Sequence, residues 1–140
     1  MGRVTQTVKI ENTFDVLKTL EGTLEKAEIR TMHLDFLVDT GAAMVCIPIQ
    51  HIITLGLKKR GEKAVRTGNG DVTRSIYGPA RVTIWDRSTE MEIMEIPEGV
   101  NAPPLLGYLV LEALDLVVAP KEQVLIGNPA NNGKYILDMF

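Results

Sequence analysis

Asp39, Thr40 and Gly41 stand together between two apolar runs, Leu34 to Val38 and Val45 to Ile47. A carboxylate in such a setting is costly unless it is hydrogen-bonded or put to use. Gly41 lacks a β-carbon, so the backbone there can come close enough for amide groups to point at the Asp39 carboxylate. Thr40 offers a hydroxyl that can lock the loop through a second hydrogen bond. Asp, Thr and Gly also favour plain surface turns, but apolar runs on both sides are wrong for an exposed turn. The pattern points to a pre-organised acid on the end of a rigid strand.

The elements that must hold this acid are legible around it. Leu34, Phe36 and Val38 alternate at the period of a pleated backbone, so the chain up to Val38 reads as a strand. Val4, Val8 and Ile10 make residues 3–11 an earlier strand, and Asn12-Thr13 can cap a short helix in which Phe14, Leu17 and Leu20 share one face. Residues 21–28 are polar and charged and read as a connection. Pro48 suits the start of a second helix, Ile49 to Leu55, which Gly56 stops. Residues 62–67 and 71–77 flank Gly68-Asn69-Gly70-Asp71, and Asn-Gly is the strongest short-range signal of a tight hairpin. Strands are expected at residues 80–85 and 89–96, with Pro97 ending the second. Asn101-Ala102-Pro103-Pro104 is a stiff loop leading to Leu105-Leu106-Gly107 and a short helix from Tyr108 to about Leu114. Residues 116–118 and 123–126 read as two further strands around Pro120-Lys121. Residues 127–133 are a loop by composition, and the chain then runs into the apolar Tyr135, Ile136, Leu137, Met139 and Phe140, an ending that asks for a partner surface.

The remaining residues exclude more than they suggest. The 140 residues, 45% hydrophobic and 24% charged, suit one domain, 1–140, with room for a core but not for a second catalytic lobe. A net charge of −3 gives no electrostatic footprint for nucleic acid, and Lys58-Lys59-Arg60 reads as a solvated turn. No apolar run approaches membrane-spanning length, and a cytoplasmic location is expected. Cys46 is the single cysteine, which excludes an intramolecular disulfide and reads as a buried small hydrophobe. His33 and His51 are too few and too scattered for a metal site, so no metal and no cofactor are expected. The Gly-x-Gly at 68–70 is followed by neither a helix pattern nor Lys-Ser/Thr, which argues against a phosphate loop.

The run Leu37-Val38-Asp39-Thr40-Gly41-Ala42, followed later by Leu105-Leu106-Gly107-Tyr108-Leu109-Val110-Leu111, resembles the retropepsin-like aspartic proteases, single-domain relatives of pepsin. The resemblance covers about residues 28–127 and leaves 128–140 as a C-terminal tail. It implies a mainly β, closed, barrel-like fold with one or two short helices, and an endopeptidase active as a homodimer on a peptide or protein. Peptide hydrolysis of this kind needs two carboxyl groups, one ionised and one protonated. With one Asp-Thr-Gly per chain, each subunit would supply Asp39 on a two-fold axis. Such paired carboxylates share a proton, as the general account of aspartic proteases describes. Thr40 would brace the two loops, Gly41 and Ala42 would face the substrate, and the hairpin tip Gly68, Asn69 and Gly70 would close over it. Pro104, Leu105 and Leu106 would wall the side-chain pockets, although burial in the core explains the two leucines equally well. The tail would be a dimer strand or would fold back on its own core. Retroviral members carry a paired Asp and Arg where this chain has Ala43 and Tyr108, which points to a non-viral, bacterial-type branch and leaves specificity open. The competing expectation is a catalytically silent dimeric module that binds extended peptides by strand addition.

Overall fold

Alternating apolar residues build a ring. The computed structural model describes residues 3–139. The strands are β1 (Thr5–Asn12), β2 (Thr31–Val38), β3 (Val45–Pro48), β4 (Lys58–Thr67), β5 (Gly70–Ile84), β6 (Arg87–Ile96), β7 (Leu105–Leu106), β8 (Leu116–Ala119) and β9 (Val124–Gly127). Seven of them form one sheet in the order β1-β2-β7-β3-β6-β5-β4, and β1 also pairs with β5, so the sheet closes on itself with β4 outside the ring. The closing rungs run from Lys9↔Thr83 to Asn12↔Ala80. Inside the ring Val8, Ile10, Phe36, Val45, Ile47, Val82, Ile84, Ile93 and Leu106 are buried, which is why period-two apolar patterning specifies the register. The expected mainly β, closed, barrel-like architecture is therefore what the chain adopts.

Three α-helices are described, one more than the resemblance implies: α1 (Thr13–Glu21), α2 (Ile49–Thr54) and α3 (Tyr108–Ala113). Asn12 caps α1, its Oδ1 accepting from the Asp15 N–H at 3.2 Å. The same side chain donates to the carbonyls of Leu55 and Gly56 at 2.9 and 3.2 Å and so fixes how α1 sits on the domain. The shared face of Phe14, Leu17 and Leu20 points outward, while Thr13, Asp15 and Val16 are the buried residues. The physical reason is an ion pair. Arg30 grips Asp15 through Nε at 2.8 Å and a second guanidinium nitrogen at 2.9 Å, and its backbone N–H adds a third bond at 3.0 Å. Gly56, at φ 67°, leaves room for the guanidinium, which a β-carbon there would strike.

Pro79 does not divide residues 71–77 from 80–85. A single strand, β5, runs through it, and the register against β6 shifts between Tyr77 and Ala80, where a residue without an N–H is tolerated. The tight hairpin expected over residues 68–71 joins β4 to β5, but its turn is Gly68-Asn69, with Thr67 opposite Gly70 and Arg66 opposite Asp71.

The tail carries no strand among its described residues, 128–139. It lies along the corner between α3 and β8: the Tyr135 hydroxyl donates to the Ala113 carbonyl at 2.9 Å, and the Ile136 N–H to Asp115 Oδ2 at 3.3 Å. Tyr135 and the Ile136 backbone thus touch their own domain, while the side chains of Ile136, Leu137 and Met139 stay exposed. Phe140 lies outside the described residues.

Candidate active site

β2 delivers Asp39 and β7 fixes it. The two strands run parallel, Leu37 beside Leu105 and Val38 beside Leu106. The Leu37 N–H donates to the Pro104 carbonyl at 2.8 Å and the Asp39 N–H to the Leu106 carbonyl at 2.9 Å. The backbone of the acid is therefore held by the second motif. The Gly41 N–H donates to Asp39 Oδ1 at 2.9 Å, and the Ala42 N–H closes the turn onto the Asp39 carbonyl at 3.1 Å. Gly41 eases that approach: a β-carbon there would stand a tight 3.2 Å from Asp39 Oδ1.

α3 locks the far side of the loop. Its first amides need partners that the helix cannot supply, and the Tyr108 and Leu109 N–H groups donate to the carbonyls of Ala42 and Ala43 at 2.8 and 3.1 Å. Gly107 is buried against the Ala43–Met44 backbone. The Asp39 loop is thus pinned by hydrogen bonds from both ends of the Leu105-Leu106-Gly107 motif.

The carboxylate is half-buried and opens on a cleft of about 360 Å³ lined by Arg3, Val4, Leu37, Val38, Asp39, Thr40, Val118, Pro120 and Gln123. Thr40 and Gly41 are exposed. Among the described residues the Thr40 hydroxyl takes part in no hydrogen bond, so the expected lock within its own loop is not made. Cys46, one strand along, is half-buried, and burial followed by the negative charge of Asp39 pushes its thiol up to about 11.

Other expected site residues separate. Ala42, Pro104 and Leu105 are half-buried beside the loop. Leu106 is fully buried in the core, so its side chain holds β7 in place and cannot wall a pocket that substrate enters. Gly68, Asn69 and Gly70 form the exposed tip of the β4–β5 hairpin and are not in the lining of the Asp39 cleft. Val118, Pro120 and Gln123 were legible as a strand pair and its turn, but no local pattern puts that hairpin next to Asp39. Among the described residues no group of three or more His, Cys, Asp or Glu side chains is placed to hold a metal ion.

A closed β ring with an acid loop braced by an apolar-Gly motif defines a retropepsin-type fold. Residues 26–113 match the family described as "gag-polyprotein putative aspartyl protease", and the chain belongs to that family. Among solved structures it is similar to "EIAV protease complexed with the inhibitor HBY-793", with 18% identity, a TM-score of 0.58, and 81% of this chain and 88% of that chain covered. That likeness shows the fold. No curated protein matches the sequence. No helix among the described residues is long and apolar enough to cross a membrane.

Proposed function

We propose that the protein is an aspartic endopeptidase whose catalytic unit is a homodimer, with Asp39 of each subunit forming the dyad. The observation that carries this reading is the Asp39 carboxylate. It is held by the Gly41 N–H on a loop braced from behind, and it lies in the lining of an open cleft. Acid–base hydrolysis of an amide needs a second carboxyl, and the chain has no other Asp-Thr-Gly to offer. Two Asp39 side chains across an axis cannot both ionise readily, so one proton is retained between them.

In this mechanism a water between the dyad carboxyls gives its proton to the ionised Asp39 and attacks the peptide carbonyl, whose oxygen is polarised by the protonated one. The free Thr40 hydroxyl fits a role in bracing the two loops across the axis. Gly41, Ala42, Pro104 and Leu105 border the substrate, and the tip of the β4–β5 hairpin closes over it to exclude bulk water. The β8–β9 hairpin, a two-stranded sheet apart from the ring, contributes Val118, Pro120 and Gln123 to the Asp39 cleft, which supports it as a surface that meets the partner subunit. The substrate is an extended peptide or protein segment.

Asp39→Asn tests the reading in a peptide-library cleavage assay. The variant is expected to fold and dimerise as wild type does and to lose hydrolysis. Near-wild-type turnover overturns the mechanism, and a wild type that binds extended peptides without cutting them makes the protein a binding module on the same fold.

A further inference from the structure

The ladder between β5 and β6 ends at Ile76↔Met94. Beyond that rung the chains part: Glu95 pairs with Ile47 on β3, while Ser75 continues with Glu62 on β4. From Ser75 outward the β4–β5 hairpin is a two-stranded arm whose only rungs are internal, Glu62↔Ser75 to Thr67↔Gly70. None of its residues is buried, whereas Ile76, the next residue inward, is 2% exposed. An isolated two-stranded ribbon is marginally stable by itself, so the angle at which this arm leaves the ring depends on whatever holds its base.

At that base the next rung on β6 is replaced by a side chain. The Ser75 N–H, on the first residue of the arm, donates to Glu95 Oε2 at 2.6 Å in a partly buried setting. A carboxylate accepting an amide proton makes a shorter and stronger bond than a backbone carbonyl does. It also comes from a residue whose own backbone is fixed in the β3–β6 ladder. The carboxylate spans the gap that opens where β6 turns toward β3 and β5 toward β4.

We infer that Glu95 is a positioning residue that fastens the base of the β4–β5 arm and so sets how the arm presents its tip to substrate. This rests on the protease reading for its functional half. Nothing about the spacing in the sequence singles out Glu95, which sits in an alternating strand two residues before Pro97. It is the contact with Ser75 that assigns the role.

The test combines amide hydrogen exchange with steady-state kinetics on Glu95→Ala and Glu95→Gln in the full chain. In Glu95→Ala, exchange at Ser75 and through residues 62–75 is expected to quicken about tenfold, while core amides such as those of Phe36 and Ile47 keep their protection. KM is expected to rise about tenfold with kcat within about twofold, as loss of uniform binding predicts. Glu95→Gln keeps an acceptor oxygen and should recover part of both effects. Unchanged Ser75 exchange in Glu95→Ala overturns the inference, and so does faster exchange with unchanged KM. Exchange is read without substrate, so a wild type that cleaves nothing sinks the protease reading while the fastening is still judged by exchange.

Discussion

Gly107 and Ala43 pack backbone to backbone. A β-carbon at residue 107 would stand 2.5 Å from the Ala43 carbonyl oxygen and 2.6 Å from the Met44 nitrogen. Those atoms belong to the loop whose carbonyls receive the first amides of α3, so neither side can rotate away. Gly107→Ala is expected to destabilise the domain by about 3 kcal/mol, the upper range for overpacking. Urea denaturation checks this, and an unchanged midpoint would show the loop to be softer than its hydrogen bonds imply.

Asp15 predicts an acid limit. The Arg30 side chain, then its backbone N–H and charge, hold the Asp15 carboxyl below its usual 3.8 against the opposing effect of burial. The folded pKa is depressed, so the pair's stabilisation is present in full above the unfolded value and is lost as pH falls through the folded one. Asp15→Asn should cost about 2 kcal/mol at pH 7, and the gap to wild type should shrink below about pH 4. A gap that stays constant down to pH 2 would contradict the ion-pair account.

Thiol reagents should spare the protein. A thiol raised from 9.0 to about 11 has roughly a hundredfold less thiolate at neutral pH than an ordinary cysteine, and the thiolate is the reactive form. Alkylation of native Cys46 at pH 7.5 is expected to be slow compared with the urea-unfolded chain. Rapid native labelling would mean that the thiol is neither buried nor opposed by Asp39.

Arg87 should matter to the tail and to β8. It is 6% exposed and donates to the carbonyls of Leu114, Asp115 and Gly133, with its guanidinium carbon 5.8 Å from the Trp85 ring centroid and 5.1 Å from that of Tyr135. Arg87→Met leaves these carbonyls without their donor and is expected to cost about 3 kcal/mol. Deleting residues 135–140 removes one of the two stacked rings and should lower stability by a smaller amount. Sedimentation of the truncated protein then separates the two roles of the tail: a dimer of wild-type affinity places the tail outside the interface, and a monomer places it within.

The acid loop was legible because its chemistry is local. An Asp, a Thr and a Gly between apolar runs state both the turn and the need to satisfy a carboxylate, and the Gly41-to-Asp39 bond is the one expected. Leu105-Leu106-Gly107 could be paired with that loop through family resemblance, although the reason for its glycine is a contact 64 residues away in sequence, at Ala43. The outward face of α1 was unreadable for a related reason. Helical spacing shows which side chains share a face, but Asn12 and Arg30 decide which face turns inward. Leu106 looked like pocket wall or core, and only its complete burial chooses. Arg87 and Glu95 gave no signal at all, since each acts on backbone groups of segments that are distant in the chain.

Closure of the ring by β1 against β5 has a consequence for how the chain comes into being. β1 can zip onto β2 as soon as residue 38 is made, yet its other edge stays open until residues 80–83 arrive. The Asp39 amide finds its acceptor only after Leu106 has been synthesised. Long-range pairings of this kind slow folding and leave strand edges bare meanwhile. During translation the acid is therefore carried on a half-built hoop, and the loop is set only when β7 and α3 have followed it.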